Sequence, residues 1–218
     1  DIRGSCNGGR PGKLTVNAAI SVMAVFKVQL SFSGMIFETD LSLHFTGLQL
    51  NTPEGTFICS EYSVGFDGLL NFYEGRNAVC DLKMERALIS HLGWTGNMCQ
   101  PYPYVIKADE NLVERIAQND MVRGITVACG GFFGPQGRQL RVPLVDPHQN
   151  EKIESFEYDG MHITNFEMES SALAGLAKLM GHRATTACMV IANRRAGKAN
   201  TGYKNIIDDL ITLVLDRI

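Results

Sequence analysis

"RATTACMVIANR", residues 183–194, is the run on which the fold turns. It is nearly continuous in apolar residues, the habit of parallel strands covered on both faces, and Asn193 with Arg194 ends it abruptly. Just upstream, "ESSALAGLAKLMG" (169–181) reads as a helix closed by Gly181 in the C′ position. Downstream, "YKNIIDDLITLVLDRI" (203–218) carries Ile206, Ile207, Leu210, Val214 and Leu215 on one helical stripe. Further back, "RGITVACGG" (123–131) predicts a buried strand that ends in glycines. "DENLVERIAQND" (109–120) predicts a helix capped by Asp109, with Leu112, Val113, Ile116 and Ala117 turned inward. "GTFICSEYSV" (55–64) predicts another strand, after the turn signal "TPEG". From about Thr56 onward, strands and helices alternate, which predicts an α/β domain with a largely parallel or mixed central sheet. No internal repeat or low-complexity tract interrupts it.

Hydrophobic residues make up 45% of the 218 and charged residues 20%, enough for a sizeable core and too apolar for disorder. A net charge of −3 does not suggest a nucleic-acid binder or a polybasic membrane surface. The 5 histidines are scattered, and no pair has metal-ligand spacing, so no metal is expected. The 6 cysteines (Cys6, Cys59, Cys80, Cys99, Cys129 and Cys188) form no CxxC pair and several lie in apolar runs, the pattern of reduced, buried thiols. The longest apolar stretch, "NAAISVMAVF", stops at Lys27, short of a bilayer span, and no secretory cleavage pattern follows a basic start. A soluble cytoplasmic protein without a membrane partner is the expectation. "DLKMER" (81–86) reads as a solvated helical face, and His148 in "DPHQN" as a loop residue.

In open α/β sheets, ligands collect outside the carboxyl ends of the strands. Three stretches there carry amide or charged side chains at the edge of an apolar run: "GGFFGPQGR" (130–138), "NFEMES" (165–170) and "ANRR" (192–195). The pair Glu167 and Glu169 around Met168 is unusual, because carboxylates avoid burial unless something binds them. A vicinal diol has two donors and a carboxylate two acceptor oxygens, so Glu169 can take both. Hydrogen bonds to a charged partner contribute about 1.5–3 kcal/mol each. An amide such as Gln136 presents a donor and an acceptor in one plane, as a pyrimidine edge requires, and Arg138 and Arg194 are permanent cations.

Taken singly, each stretch has a plainer explanation: a helix cap, a glycine-rich loop, a strand ending in a surface cation. Together and in this order, "FFGPQGR", "NFEMES" and "VIANR" resemble the uridine phosphorylases of the nucleoside phosphorylase family, over about residues 47–218. The resemblance implies a single α/β domain with a central mixed, twisted, partly barrel-like sheet flanked by helices. It implies phosphorolysis: inorganic phosphate attacks the anomeric carbon of uridine, giving uracil and ribose 1-phosphate, with no organic cofactor. Gln136 and Arg138 would hold the uracil edge, with Phe132 packing on the base and Ile191 and Ala192 lining its pocket. Glu169 would bind the ribose diol, with Met168 against the sugar and Glu167 beside it. Arg194, behind the uracil carbonyl, would receive leaving-group charge. Purine-specific members carry an aspartate near that strand end; "IANRR" has none, so a pyrimidine is favoured. A homodimer, or a hexamer of dimers, is implied as well.

Residues 1–46 depart from this pattern, as a divergent or truncated part of the domain. "GSCNGGRPGK" lacks the family's Gly-Asp-Pro turn, and alignment through "GLQLNTPEG" puts Leu41 and His44 where the phosphate-binding arginine and threonine belong. The phosphate ligands therefore stay unassigned. Three explanations compete: a nucleoside-binding paralogue with impaired catalysis, a replaced N-terminal sequence, or substitution by Arg3, Arg10 and Lys13. A nucleosidase using water is a further alternative, with no base near the anomeric carbon to support it.

Overall fold

In the computed structural model, residues 18–22, 31–32, 35–36, 46–47, 52–94, 100–193, 196–200 and 202–218 are described. Short strands come first: β1 (Ala18–Val22), β2 (Ser31–Phe32), β3 (Met35–Ile36) and β4 (Thr46–Gly47). The alternating part then begins with β5 (Phe57–Gly65), α1 (Arg76–Val79), α2 (Leu82–Leu92) and β6 (Tyr104–Lys107). It continues through α3 (Glu110–Ala117), β7 (Val122–Ala128), α4 (Gln149–Ser155), β8 (Glu157–Tyr158) and β9 (Met161–Glu167). Last come α5 (Ser170–Leu179), β10 (Arg183–Met189), β11 (Ala192–Asn193), β12 (Lys198–Ala199) and α6 (Tyr203–Leu215).

The sheet is mixed. β5, β7 and β9 run parallel, β10 and β6 pair antiparallel with β5, and β4 pairs antiparallel with β9. Along the path β10-β5-β7-β9-β4-β11, the two ends belong to consecutive pieces of chain. Met189 and Ala192 are three residues apart, so the sheet must curl back on itself. The result is an α/β domain with a partly barrel-like sheet, as the resemblance implied. The run 183–194 is accordingly not one parallel strand. β10 is parallel to β1 alone and antiparallel to β5, and the chain then leaves β5 to join β4 as β11. The break falls at Val190, whose N–H donates to Thr56 O (2.9 Å) and whose carbonyl accepts from Gly55 N (2.7 Å).

Helices cover the sheet on several sides. Met84, Leu88 and Leu92 of α2, with Ile153 of α4, pack on Val64, Val127, Ile163 and Phe166. Leu112 and Ile116 of α3 join Ile207, Leu210 and Val214 of α6 over Cys59, Ala187 and Met189. α5 lays Ala174 against Leu70, Tyr104 and Ile106. Tyr104 approaches β5 so closely that a Cβ at residue 65 would lie 2.2 Å from its ring, which explains Gly65. Helix ends follow the sequence: Asp109 accepts from Leu112 N at 3.0 Å, and Gly181 has the positive φ expected after α5.

Two expectations need correction. "DLKMER" is no solvated face, since Met84 and Glu85 are buried. Arg76 makes this possible by donating from Nη1 and Nη2 to the two Glu85 oxygens at 3.0 and 2.9 Å. Leu215, placed on the α6 stripe, is 56% exposed in the last turn. Among the described residues, Cys59, Cys129 and Cys188 are buried free thiols and Cys80 is partly buried. No helix there is long and apolar enough to cross a membrane, and no His/Cys/Asp/Glu group suits a metal ion. Cys6, Cys99 and most of the divergent stretch 1–46 lie outside the described residues.

Candidate active site

β9 ends at Glu167, and its last residues do two different jobs. Glu167 is fully buried and closes the amino end of α5. Its Oε2 accepts from Glu169 N and Ser170 N, both at 2.7 Å, and its Oε1 from Ser170 Oγ at 2.6 Å. By accepting from them, the carboxylate satisfies part of the otherwise unpaired first turn. Burial still pushes the Glu167 carboxyl up from the ordinary carboxylate range, against those three bonds. Glu169 occupies the N-cap position, yet its own side chain makes no cap bond and stands exposed. Partial desolvation, reinforced by the neighbouring Glu167 charge, pushes its carboxyl up to about 7. The capping work that sequence alone gave jointly to "NFEMES" thus falls to Glu167 with Ser170, and Glu169 is left for something else. Met168, between them, is half-buried.

The second stretch leaves β7 beside the first. Ala128 is in register with Glu167, and Cys129 N donates to Glu167 O at 3.0 Å. The chain then turns back, so that Cys129 Sγ lies 3.5 Å from Pro135 O, while Gln136 N and Arg138 N both donate to Phe133 O. Gln136 ends with no exposed surface, whereas Phe133 is half-exposed. Arg138 lies over the face of Phe132 with its guanidinium carbon 3.6 Å from the ring centroid, a cation–π stack. Desolvation lowers the Arg138 pKa somewhat. Gln149, in the first turn of α4, donates its Nε2 to Pro135 O at 3.0 Å. Sequence reading gave this residue no role, because nothing in a side chain announces which distant carbonyl it will meet.

The third stretch arrives through β4. Ala192 pairs with Thr46, which pairs with Phe166, and Asn193 is linked to Asn165 in the same way through Gly47. Ile191 and Ala192 are half-buried, and Ile191 also packs against Ile58 and Val190. Asn193 is buried, donating Nδ2 to Thr52 O at 2.7 Å and accepting from Ala196 N at 3.0 Å. Arg194 lies outside the described residues, as do Leu41, His44, Arg3, Arg10 and Lys13. The curled sheet therefore brings the first two stretches together at the carboxyl ends of β7 and β9, and places Ala192 and Asn193 of the third two strands away from β9, across β4. A separate groove of about 340 Å³, lined by Lys107, Asp109, Lys178 and His182 among others, contains none of these residues. It opens at the far end of α5, about 14 Å from Glu169 by helical rise.

Solved structures with a similar fold include nucleoside phosphorylases. A nucleoside phosphorylase of Trypanosoma brucei, described as showing uridine phosphorylase activity, matches with a TM-score of 0.64 and 21% identity. The match covers 78% of this chain and 58% of that one. The uridine phosphorylase of Schistosoma mansoni matches with a TM-score of 0.50 and 23% identity, over 78% of this chain and 56% of the other. The chain thus spans less than three fifths of the length of these relatives, and at such identities the likeness shows the fold. No curated protein matches the chain. The family model of the Phosphorylase superfamily matches residues 47–213, and on that match over most of its length the chain belongs to this superfamily.

Proposed function

We propose that this chain carries the nucleoside site of a uridine-phosphorylase-type enzyme, cleaving uridine with inorganic phosphate to uracil and ribose 1-phosphate. The observation that carries the reading is the exposed Glu169 carboxyl at the amino end of α5, beside a turn whose buried amide is Gln136. The Cys129 backbone joins the two stretches. Glu169 accepts both hydroxyls of the ribose diol, and the helix amino end favours its charge by about 0.3–1 kcal/mol. Met168 packs on the sugar, and Glu167 holds the strand–helix junction rigid. Gln136 reads the uracil O4 and N3–H, with Ile191 and Ala192 lining the ring. A base stacked on the guanidinium-covered face of Phe132 takes the place of Arg138, which then turns to a ring carbonyl.

As the C1′–N1 bond breaks, positive charge grows on the sugar and negative charge on the departing ring. Arg138 and Arg194 stabilise the ring, and the attacking phosphate supplies the new C1′–O bond. Phosphate is a co-substrate, with no organic cofactor. The chain works in the cytoplasm as a homo-oligomer, a dimer or a hexamer of dimers. A second reading, nucleoside binding without turnover, is motivated by Leu41 and His44 in place of phosphate ligands. Uracil release from uridine, followed with and without phosphate, separates the two. Phosphate-dependent release supports the enzyme, binding without release supports the second reading, and phosphate-independent release would instead indicate a nucleosidase.

A further inference from the structure

α4 begins with two consecutive carboxamides, Gln149 and Asn150, and both reach the turn that carries Gln136 and Arg138. Gln149 Nε2 donates to Pro135 O at 3.0 Å and Asn150 Nδ2 to Gly137 O at 3.3 Å. The two carbonyls are alternate, not adjacent. Pro135 C=O lies in the peptide plane from which Gln136 springs, and Gly137 C=O in the plane from which Arg138 springs. Fixing a peptide plane fixes the next Cα and its N–Cα bond, which leaves φ as the one torsion between that plane and the Cβ.

Asn150 fits this site with little room to spare. A Cβ at residue 137 would lie 2.3 Å from Asn150 Oδ1, and Gly137 adopts a φ of 67°, so glycine answers both demands. Asn150 Oδ1 is buried and has no hydrogen-bond partner among the described residues. For stability alone, an apolar residue there would avoid that penalty. The amide does donate to Gly137 O, a bond that an apolar residue could not make. Its support is firm: Ile153, one turn along α4, is fully buried, and His91 Nε2 of α2 lies 2.8 Å from Lys152 O.

We infer that Gln149 and Asn150 form a positioning clip that sets pyrimidine selectivity, aiming Gln136 and Arg138 at the ring edge without touching substrate. The inference rests on the nucleoside reading above. It assigns a division of labour, in which Gln149 orients the amide and Asn150 the guanidinium. Uracil and cytosine differ at the ring edge that this pair would read, so a loosened clip blurs that distinction and leaves the ribose contacts alone.

The test uses the full chain with Asn150→Ala and Gln149→Ala, and titrates uridine, cytidine and ribose 1-phosphate. The expected result is a uridine-to-cytidine affinity ratio reduced about tenfold in each variant, the scale of one lost hydrogen bond, with ribose 1-phosphate affinity unchanged. Gly137→Ala, which crowds Asn150 from the other side, should reproduce the pattern. Hydrogen exchange across residues 133–139 should quicken in all three. Equal loss for uridine and ribose 1-phosphate, or an unaltered ratio with unaltered exchange, overturns the clip while the nucleoside reading stands. Failure of the unmodified chain to bind any pyrimidine nucleoside overturns that reading, and the clip with it.

Discussion

Glu169 and Glu167 are two residues apart, yet their surroundings give them opposite duties. The buried one spends both oxygens on the helix end; the exposed one keeps both. A carboxyl at about 7 is half-protonated near neutrality, and only its ionised form accepts both diol protons. Uridine affinity should therefore rise with pH through about 7 and level off above it. Glu169→Gln should flatten the curve, and calorimetric titration from pH 5.5 to 8.5 would show it. The sign for stability is the reverse. The folded pKa lies above the ordinary 4.5, so the group favours the fold at low pH and that contribution is lost as pH rises from about 4.5 to 7. At Gln136, truncation to alanine should cost base choice more than sugar binding, with about 1–3 kcal/mol lost against uridine and little against ribose 1-phosphate. Equal losses in both titrations would take Gln136 out of the base pocket.

Elements show where local sequence suffices and where it does not. α3, α5, β5 and β7 were legible because periodicity, Asp109 and Gly181 are local signals, and these formed where expected. The break between β10 and β11 was not, since it depends on Thr56 and Gly55 across the sheet. Nor was the interior of α2, where buried Glu85 is met by Arg76 from α1 and by the Val105 N–H from β6. Removing one partner of such a pair strands the other. Arg76→Ala should lower stability by about 3–5 kcal/mol in urea denaturation, and Arg76→Ala with Glu85→Leu should recover part of it. A loss below about 1 kcal/mol would mean that solvent reaches the site. For α5, Glu167→Ala deprives three donors of their acceptor. A cost of about 1–3 kcal/mol is expected, with nucleoside affinity falling as the strand–helix junction loosens.

For the molecule as a whole, the curled sheet links strands that lie far apart in the sequence. The three motifs occupy residues 130–138, 165–170 and 192–195, and β4, paired with both β9 and β11, links Ala192 and Asn193 of the last to the second. Their residue types were readable from the sequence because amides, guanidiniums and carboxylates at strand ends are chemically conspicuous. The supports, Ser170, Gln149 and Asn150, were not, because a polar residue in a turn has many possible partners until the chain has folded. On the proposed reading, the sugar end and the ring end of a ligand would be held after different strands, β9 and β7, and should fail independently. Titration of uridine and free uracil into the unmodified chain and Glu169→Ala tests this most directly. A nucleoside held at both ends predicts at least about tenfold weaker uridine binding in the variant, with uracil unaffected. Uridine and uracil affinities both unchanged, or both reduced alike, would contradict it.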